Sequence, residues 1–449
     1  MKPYHFDPQE VVVAVDIGTT KVCAIAGQMS EYGKIEVLGM GRVSSEGVLR
    51  GVISNIEKTV NAIKEVITAV ERQLEADVKI VHVGIAGQHI KSLQHRGILT
   101  RDNAHDEIGQ EDIEMLIRDM YKLVLPPGDK ILHVIPQEFT VDNEQGILDP
   151  IGMSGIRLEA NFHIITGQIT ASNNILRCIE KVGLEVADLT LEPIASSESI
   201  LSEEEKEAGI ALVDIGGGTT DLTIFHDGII RHTAVIPFGG NVVTRDIKEG
   251  CTIMPHQAEK LKIKFGSALS DEVYDNRIIT IPGLKGREPK EISEKNLALI
   301  IQARMEEIFD YVLWEVRRSG YEKKLIGGIV LTGGGSLLKH INMLAEYHTG
   351  IPARVGFPVD LLGHGYPEEI ATPIWATCIG LLRHAFDTRD YTTSIEMKHT
   401  EEPGSPELST VDHKLSHNEH AKRKERGWWE KAFQKTKEWF EAEPDPDLN

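Results

Sequence analysis

The chain has 449 residues, 41% of them hydrophobic, enough apolar side chain to bury two sizeable α/β cores, which excludes general disorder. A formal net charge of −21 excludes nucleic acid as a default partner, because a phosphate-backbone binder needs a basic face. The four cysteines, Cys23, Cys178, Cys251 and Cys378, form no CxxC and read as buried reduced thiols; with no N-terminal signal core and no apolar run of ~18 residues, neither secretion nor a membrane span is expected.

In chain order, the first element is a hairpin at Val11 to Gly27, VVVAVDIGTTKVCAIAG. Its apolar run ends at Asp16, a Gly18-Thr19-Thr20 turn follows, and Lys21 adds a cation suited to a β- or γ-phosphate. From Ile35 to Leu74 the pattern predicts a strand, a loop rich in Gly and Ser, and an amphipathic helix carrying Ile56, Val60, Ile63, Val66 and Ile67 at helical spacing. Residues from about 81 to 165 read as a small α+β module with a helix over QEDIEMLIRDMYKLV and a strand over ILHVIPQEFTV. A helix (SNNILRCIEKVG), a short strand (EVADLTL) and a new helix opening at Glu192-Pro193 come next. A carboxylate beside a first-turn proline complements the helix dipole, a complete structural account of Glu192.

The second hairpin, Gly209 to Gly228, carries Asp214 at its strand end and then Gly216-Gly217-Gly218-Thr219-Thr220-Asp221. Consecutive glycines let the backbone turn sharply and aim several N–H groups into one anion-binding concavity. Strand-end carboxylates, Asp16 and Asp214, suit a phosphate site only if a hard cation such as Mg2+ sits between, usually through water. Two copies of one hairpin predict two related half-domains facing each other across a nucleotide. Glu259 and Lys262 fall one helical turn apart, as a surface ion pair or a ligand contact. The third glycine cluster, Gly327 to Ser336, runs a strand into a helix, with Gly333, Gly334 and Gly335 in the turn, Ser336 as N-cap, and Leu337, Ile341 and Leu344 on one face. A Walker loop is excluded: Gly328 and Gly333 have its spacing, but Gly334 stands where lysine is required.

The last core helix is predicted within ATPIWATCIGLLRHA, where Ala376 and Gly380 make a small-residue strip, serving a hinge between the halves or plain core packing. Residues 387–420 are polar and aperiodic, a linker. The following tail places Trp428, Trp429, Phe433, Trp439 and Phe440 on one helical stripe, and it holds three of the five tryptophans. Over residues 421–442, seven basic residues against four acidic ones leave a local charge of +3. Each aromatic would contribute ~1.5–3 kcal/mol on burial in a bilayer surface or a protein groove. A single such tail binds reversibly, and firm attachment needs several.

DIGTTK, DIGGGTTD and GGIVLTGGGS resemble the two phosphate loops and the adenosine loop of the actin-like ATPase superfamily, and the phrases between them are similar to the FtsA family of bacterial cell-division proteins over about residues 10 to 385. The resemblance implies an α/β, actin-like two-lobed fold with duplicated RNase H-like half-domains, an inserted small α+β subdomain, and a C-terminal amphipathic helix after a flexible linker. The first half-domain would take residues 1–80 and 166–208, the insert 81–165, the second half-domain 209–245 and 304–386 with the closing helix, a second small subdomain 246–303, and linker and tail 387–420 and 421–449.

The resemblance further implies ATP and Mg2+ as ligands, with at most weak ATPase activity. Asp16 and Asp214 would hold Mg2+ through water, Gly18, Thr19, Thr20, Lys21, Gly216, Gly217, Gly218, Thr219, Thr220, Gly333, Gly334, Gly335 and Ser336 would cradle the nucleotide, and Glu259 with Lys262 would reach ribose and base. Glu192 is the candidate for positioning the attacking water. Lys295 and Arg304 would meet the acidic C-terminal peptide of FtsZ, although Arg304 has Glu306 and Glu307 on its own helix as partners. Other implied partners are further copies of the chain in an actin-like filament, division proteins on the insert, and an anionic membrane at the inner face of the septum. FtsA proteins commonly end in or just after the amphipathic helix, so the acidic EPDPDLN that follows here departs from the pattern. Competing readings are a small-molecule kinase or chaperone-type ATPase, and a pilus-assembly relative, which would not be expected to carry this tail.

Overall fold

A computed structural model describes residues 10–103, 106–283 and 288–388 in full, and the backbone of 395–397. Two five-stranded sheets share one topology. In the first, the central strand Val12–Ile17 pairs antiparallel with Lys21–Met29 and parallel with Ile80–Ile85; Ile35–Ser44 and Glu185–Leu191 form the edges. In the second, Ile210–Ile215 pairs antiparallel with Thr220–His226 and parallel with Gly328–Thr332, between edges Ile229–Ile236 and Ala353–Val355. Both central strands are almost wholly buried, which explains their unbroken apolar runs.

Helices cover the sheets. Ile56–Leu74 starts at Asn55, whose side chain accepts from Lys58 N–H, and buries Ile63, Val66, Ile67 and Val70. Ile169–Val182 lies beside it. On the other face of the first sheet, the closing helix Ala376–Thr388 packs on Glu192–Ile200, and Cys378, Leu381 and Leu382 share a core with Val12, Ala14 and Ile25. A Cβ on Gly380 would overlap the Ala195 carbonyl, so the small residue serves a close helix crossing. The last helix therefore completes the first half-domain, not the second, where the span 304–386 would put it.

The insert is a four-stranded antiparallel sheet in the order Glu144–Ile147, Asp129–Val141, Arg157–Gln168, Lys91–Thr100, with the helix Gln110–Tyr121 packed on it through Ile113, Leu116 and Met120. The strand Ile80–Ile85 belongs to the first sheet, which moves the insert's start past residue 81; the run is buried because it lies inside the sheet and packed helices cover its faces. The boundaries at 245 and 303 likewise fall inside helices Gly240–Cys251 and Glu294–Ser319, and the second of these runs from the small subdomain into the lobe's core through Met305, Ile308, Phe309 and Val312. Within the expected linker, Ile395–Met397 pairs antiparallel with Ala76–Val78, a short edge whose backbone groups the chain returns to satisfy.

Candidate functional site

The two glycine turns meet face to face. Gly216 N–H donates to Thr219 O at 2.9 Å and closes the second turn. Its outer carbonyls then take the first N–H groups of the helix Gly240–Cys251: Gly240 to Gly216 O at 2.9 Å and Asn241 to Gly217 O at 2.8 Å. A Cβ on Gly217 would overlap Thr20 Cγ2, and one on Gly218 would lie 2.7 Å from Thr19 Oγ1. The second turn needs glycine because the threonines of the first occupy that space. Thr19 is held in turn by Gly51 N–H, which donates to its Oγ1 at 3.1 Å.

The third glycine cluster closes the floor. Gly333 adopts φ +77°, a conformation that favours glycine, and a Cβ there would overlap Asp214 Oδ1. Gly335 packs on Ile215, while Gly334 has open space around its Cα. Ser336 is not an N-cap: Gly334–Leu337 is a short 3-10 turn, the helix begins only at Ile341, and Ser336 Oγ is buried, donating to Gly333 O at 2.8 Å. Thr220 is likewise turned inward, its Oγ1 donating to Phe238 O at 2.9 Å.

Between these loops lies a cleft of about 590 Å3. Asp16, Gly18, Thr19, Thr20, Lys21, Glu192, Asp214, Gly216, Gly217, Gly218, Thr219, Glu259, Lys262, Gly333, Gly334 and Gly335 all line it. Thr220 and Ser336 do not, because their side chains stabilise the turns from behind. Sequence reading missed Asp221, Asn241 and Thr377, which also line the cleft. Asp221 was recoverable: in the hairpin register it stands directly opposite Asp214.

Four carboxyl groups, from Asp16, Glu192, Asp214 and Asp221, border the cleft beside the ammonium of Lys21. Lys21 Nζ donates to Asp16 Oδ2 at 3.2 Å and also to Ile374 O. Burial opposes its charge most strongly of any single cause, but the attractions of Asp16, Cys23 and Cys378 together with the Asp16 hydrogen bond hold its pKa well above the ordinary value. The position of the second turn that matches Lys21 is Thr219, so that turn carries no lysine of its own. Burial raises Asp214 to about 6, with Asp16 adding repulsion, against the attraction of Lys21 and a 3.2 Å hydrogen bond from Ser196 Oγ. Burial and the charge of Asp214 raise Asp221 to about 7; Thr219 Oγ1 donates to its Oδ2 at 3.1 Å, and Oδ1 is buried with no protein partner. Glu192, first residue of its helix, lies with its stem against Gly84, where a Cβ would stand 2.8 Å from Glu192 Cγ. Burial, then Asp16, Asp221 and Asp214, drive its pKa well up.

Lys262 Nζ donates to Gly240 O (3.0 Å) and Thr244 Oγ1 (2.9 Å) and pairs with Glu259 Oε2 at 2.8 Å. Chemically the cleft offers backbone N–H groups to an anion and carboxylate oxygens to a hard cation. Among the described residues, no group of three or more His, Cys, Asp or Glu side chains is arranged to hold a metal ion.

Arg304 is already engaged: it pairs with Asp246, its Nη2 3.1 Å from Oδ1, and with Glu307. Lys295 is exposed, and nine residues of helix, two and a half turns, set it on the opposite side from Arg304. Trp428, Trp429, Phe433, Trp439 and Phe440 lie outside the described residues. No helix among the described residues is long and apolar enough to cross a membrane.

A family model described as cell division protein FtsA matches residues 211–380, and one described as the SHS2 domain inserted in FtsA matches residues 87–166. The second range starts just past the first sheet's strand Ile80–Ile85 and covers the inserted module. The chain is 39% identical to the cell division protein FtsA of Pseudomonas aeruginosa over 90% of this chain and 96% of that one. Identity is 36% with the Borreliella burgdorferi FtsA, over 96% and 100% of the two chains, and 33% with that of Escherichia coli K12, over 84% and 90%. Among solved structures, the PilM-PilN type IV pilus biogenesis complex matches with a TM-score of 0.62 at 13% identity, over 85% of this chain and 98% of that one. MreB5 of Spiroplasma citri bound to ADP matches with a TM-score of 0.51 at 15% identity, over 86% and 98%. At these identities the likeness concerns the fold alone, which is actin-like. With the inserted module, the duplicated half-domains and relatives above one-third identity along nearly its whole length, the chain belongs to the FtsA family of cell-division proteins.

Proposed function

We propose that the protein binds ATP with Mg2+ in the cleft between the two glycine turns, assembles as an actin-like filament on the inner face of the membrane, and tethers FtsZ filaments there at the division septum. The carrying observation is the interleaving of Thr19 and Thr20 with Gly217 and Gly218, which brings the two turns together over one cleft lined by Asp16, Asp214 and Asp221 and by Lys21. Backbone N–H groups of both turns would hold phosphate oxygens, with Lys21 as the point charge. Asp16 and Asp214 would orient a hydrated Mg2+, whose part is to neutralise phosphate charge. Lys262 and Glu259 would meet ribose and base, and Glu192 would position water for a slow hydrolysis. The structure of MreB5 bound to ADP supports nucleotide in a cleft of this fold.

Membrane attachment rests on the aromatic stripe and basic flanks of residues 421–442. Lys295 is the open candidate for the FtsZ peptide, since Arg304 would first have to leave Asp246. Division proteins would meet the insert. Co-sedimentation with anionic liposomes, with and without Mg-ATP, tests the reading on the full chain and on a chain ending at His420. Only the full chain should pellet, more so with Mg-ATP if assembly supplies avidity. If both remain in solution under every condition, the membrane tether is wrong.

A further inference from the structure

The insert is joined by chain to the first lobe but is fixed to both. On the first-lobe side, Ile90, Ile135 and Ile165 share the buried cluster of Val83 and Leu191, and Leu191 N–H donates to His133 Nε2 at 3.1 Å. On the second-lobe side it covers the edge strand Ile229–Ile236. Gln137 Nε2 donates to Ile230 O at 2.9 Å and Ser92 Oγ to Thr233 O at 3.0 Å. His163 Nε2 and Thr233 Oγ1 are 3.0 Å apart. Arg231 Nη1 donates to Glu138 Oε1 at 2.7 Å, while Asp227 and the His226 carbonyl take its remaining fork.

Gln137, His163, Arg231 and Thr233 are each at least nine-tenths buried. Two insert side chains therefore satisfy carbonyls that an edge strand leaves open, in place of a neighbouring strand. Pulling the insert away would trade these protein hydrogen bonds, one of them between charged partners, for bonds to water, a net loss for each. The edge strand also carries the register of the second glycine turn: Ile236 faces Thr220 and Val235 faces Asp221. Asp221 borders the cleft on one side and, on the other, a void of about 10 Å3 shared with Lys91, Pro193 and Thr233. The seam between insert and second lobe begins where the cleft ends.

We infer that the insert is a brace that sets the angle between the two lobes, so that the cleft opens only when the insert loosens its grip on the strand Ile229–Ile236. Coupling of this kind is reciprocal: a ligand that closes the cleft tightens the seam, and anything that draws the insert off the strand opens the cleft. That the cleft ligand is a nucleotide rests on the function proposed above; the brace does not.

The test uses the full chain with spin labels at Tyr32→Cys on the first lobe and Ile326→Cys on the second, in a Cys251→Ser background. Both label positions are highly exposed, at 88% and 82%. Pulsed electron resonance then compares the interlobe distance distribution with that of the same chain carrying Gln137→Leu and Glu138→Ala, without nucleotide. The brace predicts a broader distribution in the cut variant, and equilibrium binding of a fluorescent ATP analogue weaker by about fivefold or more. An unchanged width in a folded variant overturns the brace. A broadened width with no analogue bound to either chain keeps the brace and overturns the nucleotide reading. Glu138→Gln, which keeps a neutral hydrogen bond at a half-exposed site, replaces the double variant if that fails to fold, and a smaller broadening is expected; no broadening overturns the inference.

Discussion

The two glycine hairpins have the same strand order and register, yet their chemistry is divided between them. The first carries its own cation, Lys21 against Asp16, and fills its turn with threonines. The second has Asp214 and Asp221 directly opposed, no lysine at its turn, and glycines where the first has side chains. One half of a duplicated device is electrostatically complete and the other is left in deficit. The site is thus a joint product: the first hairpin supplies bulk and one charge, and the second supplies space and an unmet demand for a cation.

The hardest test of that division is Lys21→Ala. Removing one partner of a buried pair leaves Asp16 uncompensated, so stability should fall by about 3–5 kcal/mol in denaturant titrations. Adding Asp16→Asn should recover part of the loss. Full stability in the single variant would mean that the first turn does not depend on its cation.

Gly217→Ala probes the space. It forces a Cβ onto Thr20, an overpacking loss of about 1–3 kcal/mol, and should weaken binding of a fluorescent ATP analogue. Combining it with Thr20→Ala should relieve the clash; no relief would mean that the turns do not interlock.

A change of sign separates the two strand-end aspartates. In metal-free buffer Asp214→Asn should raise the melting temperature, because it removes a poorly compensated buried charge, whereas Asp16→Asn should lower it. Asp214 at about 6 and Asp221 at about 7 hold protons more tightly folded than unfolded. Their contribution to stability is full below the ordinary carboxylate value near 4 and is lost as pH rises through about 7. Thermal melts between pH 5 and pH 8 in chelator should show this slope, reduced in Asp214→Asn and in Asp221→Asn. A slope of the opposite sign for the difference between parent and variant would refute the assignment.

The smallest effect is expected at Ser196→Ala, which removes one hydrogen bond to Asp214 and should cost about 1 kcal/mol, with Asp214 titrating still higher by NMR. A downward shift would show that Ser196 does not stabilise the charged carboxylate.

Much of the fold and of the cleft is legible in the chain itself. Asp16 with its Gly-Thr-Thr turn, Asp214 with three glycines, and the last glycine run point to a duplicated α/β fold around a phosphate-type site, because turn chemistry and buried-strand runs are local signals. Less legible is which neighbours of those motifs face the cleft. Thr220 and Ser336 look the same in sequence as the lining residues but turn their hydroxyls to Phe238 and Gly333 carbonyls. Asp221 faces the cleft because the hairpin register sets it opposite Asp214.

The amino-acid order alone specifies the elements, their succession and the repeated hairpin, since backbone conformation and apolar periodicity act over a few residues. Packing in three dimensions settles that the closing helix seals the first lobe, that Arg304 is held by Asp246, and that the insert reaches the second lobe through Gln137 and Glu138. Each of those depends on groups tens to hundreds of residues apart, whose partners are set by burial and leave no periodic trace in the chain.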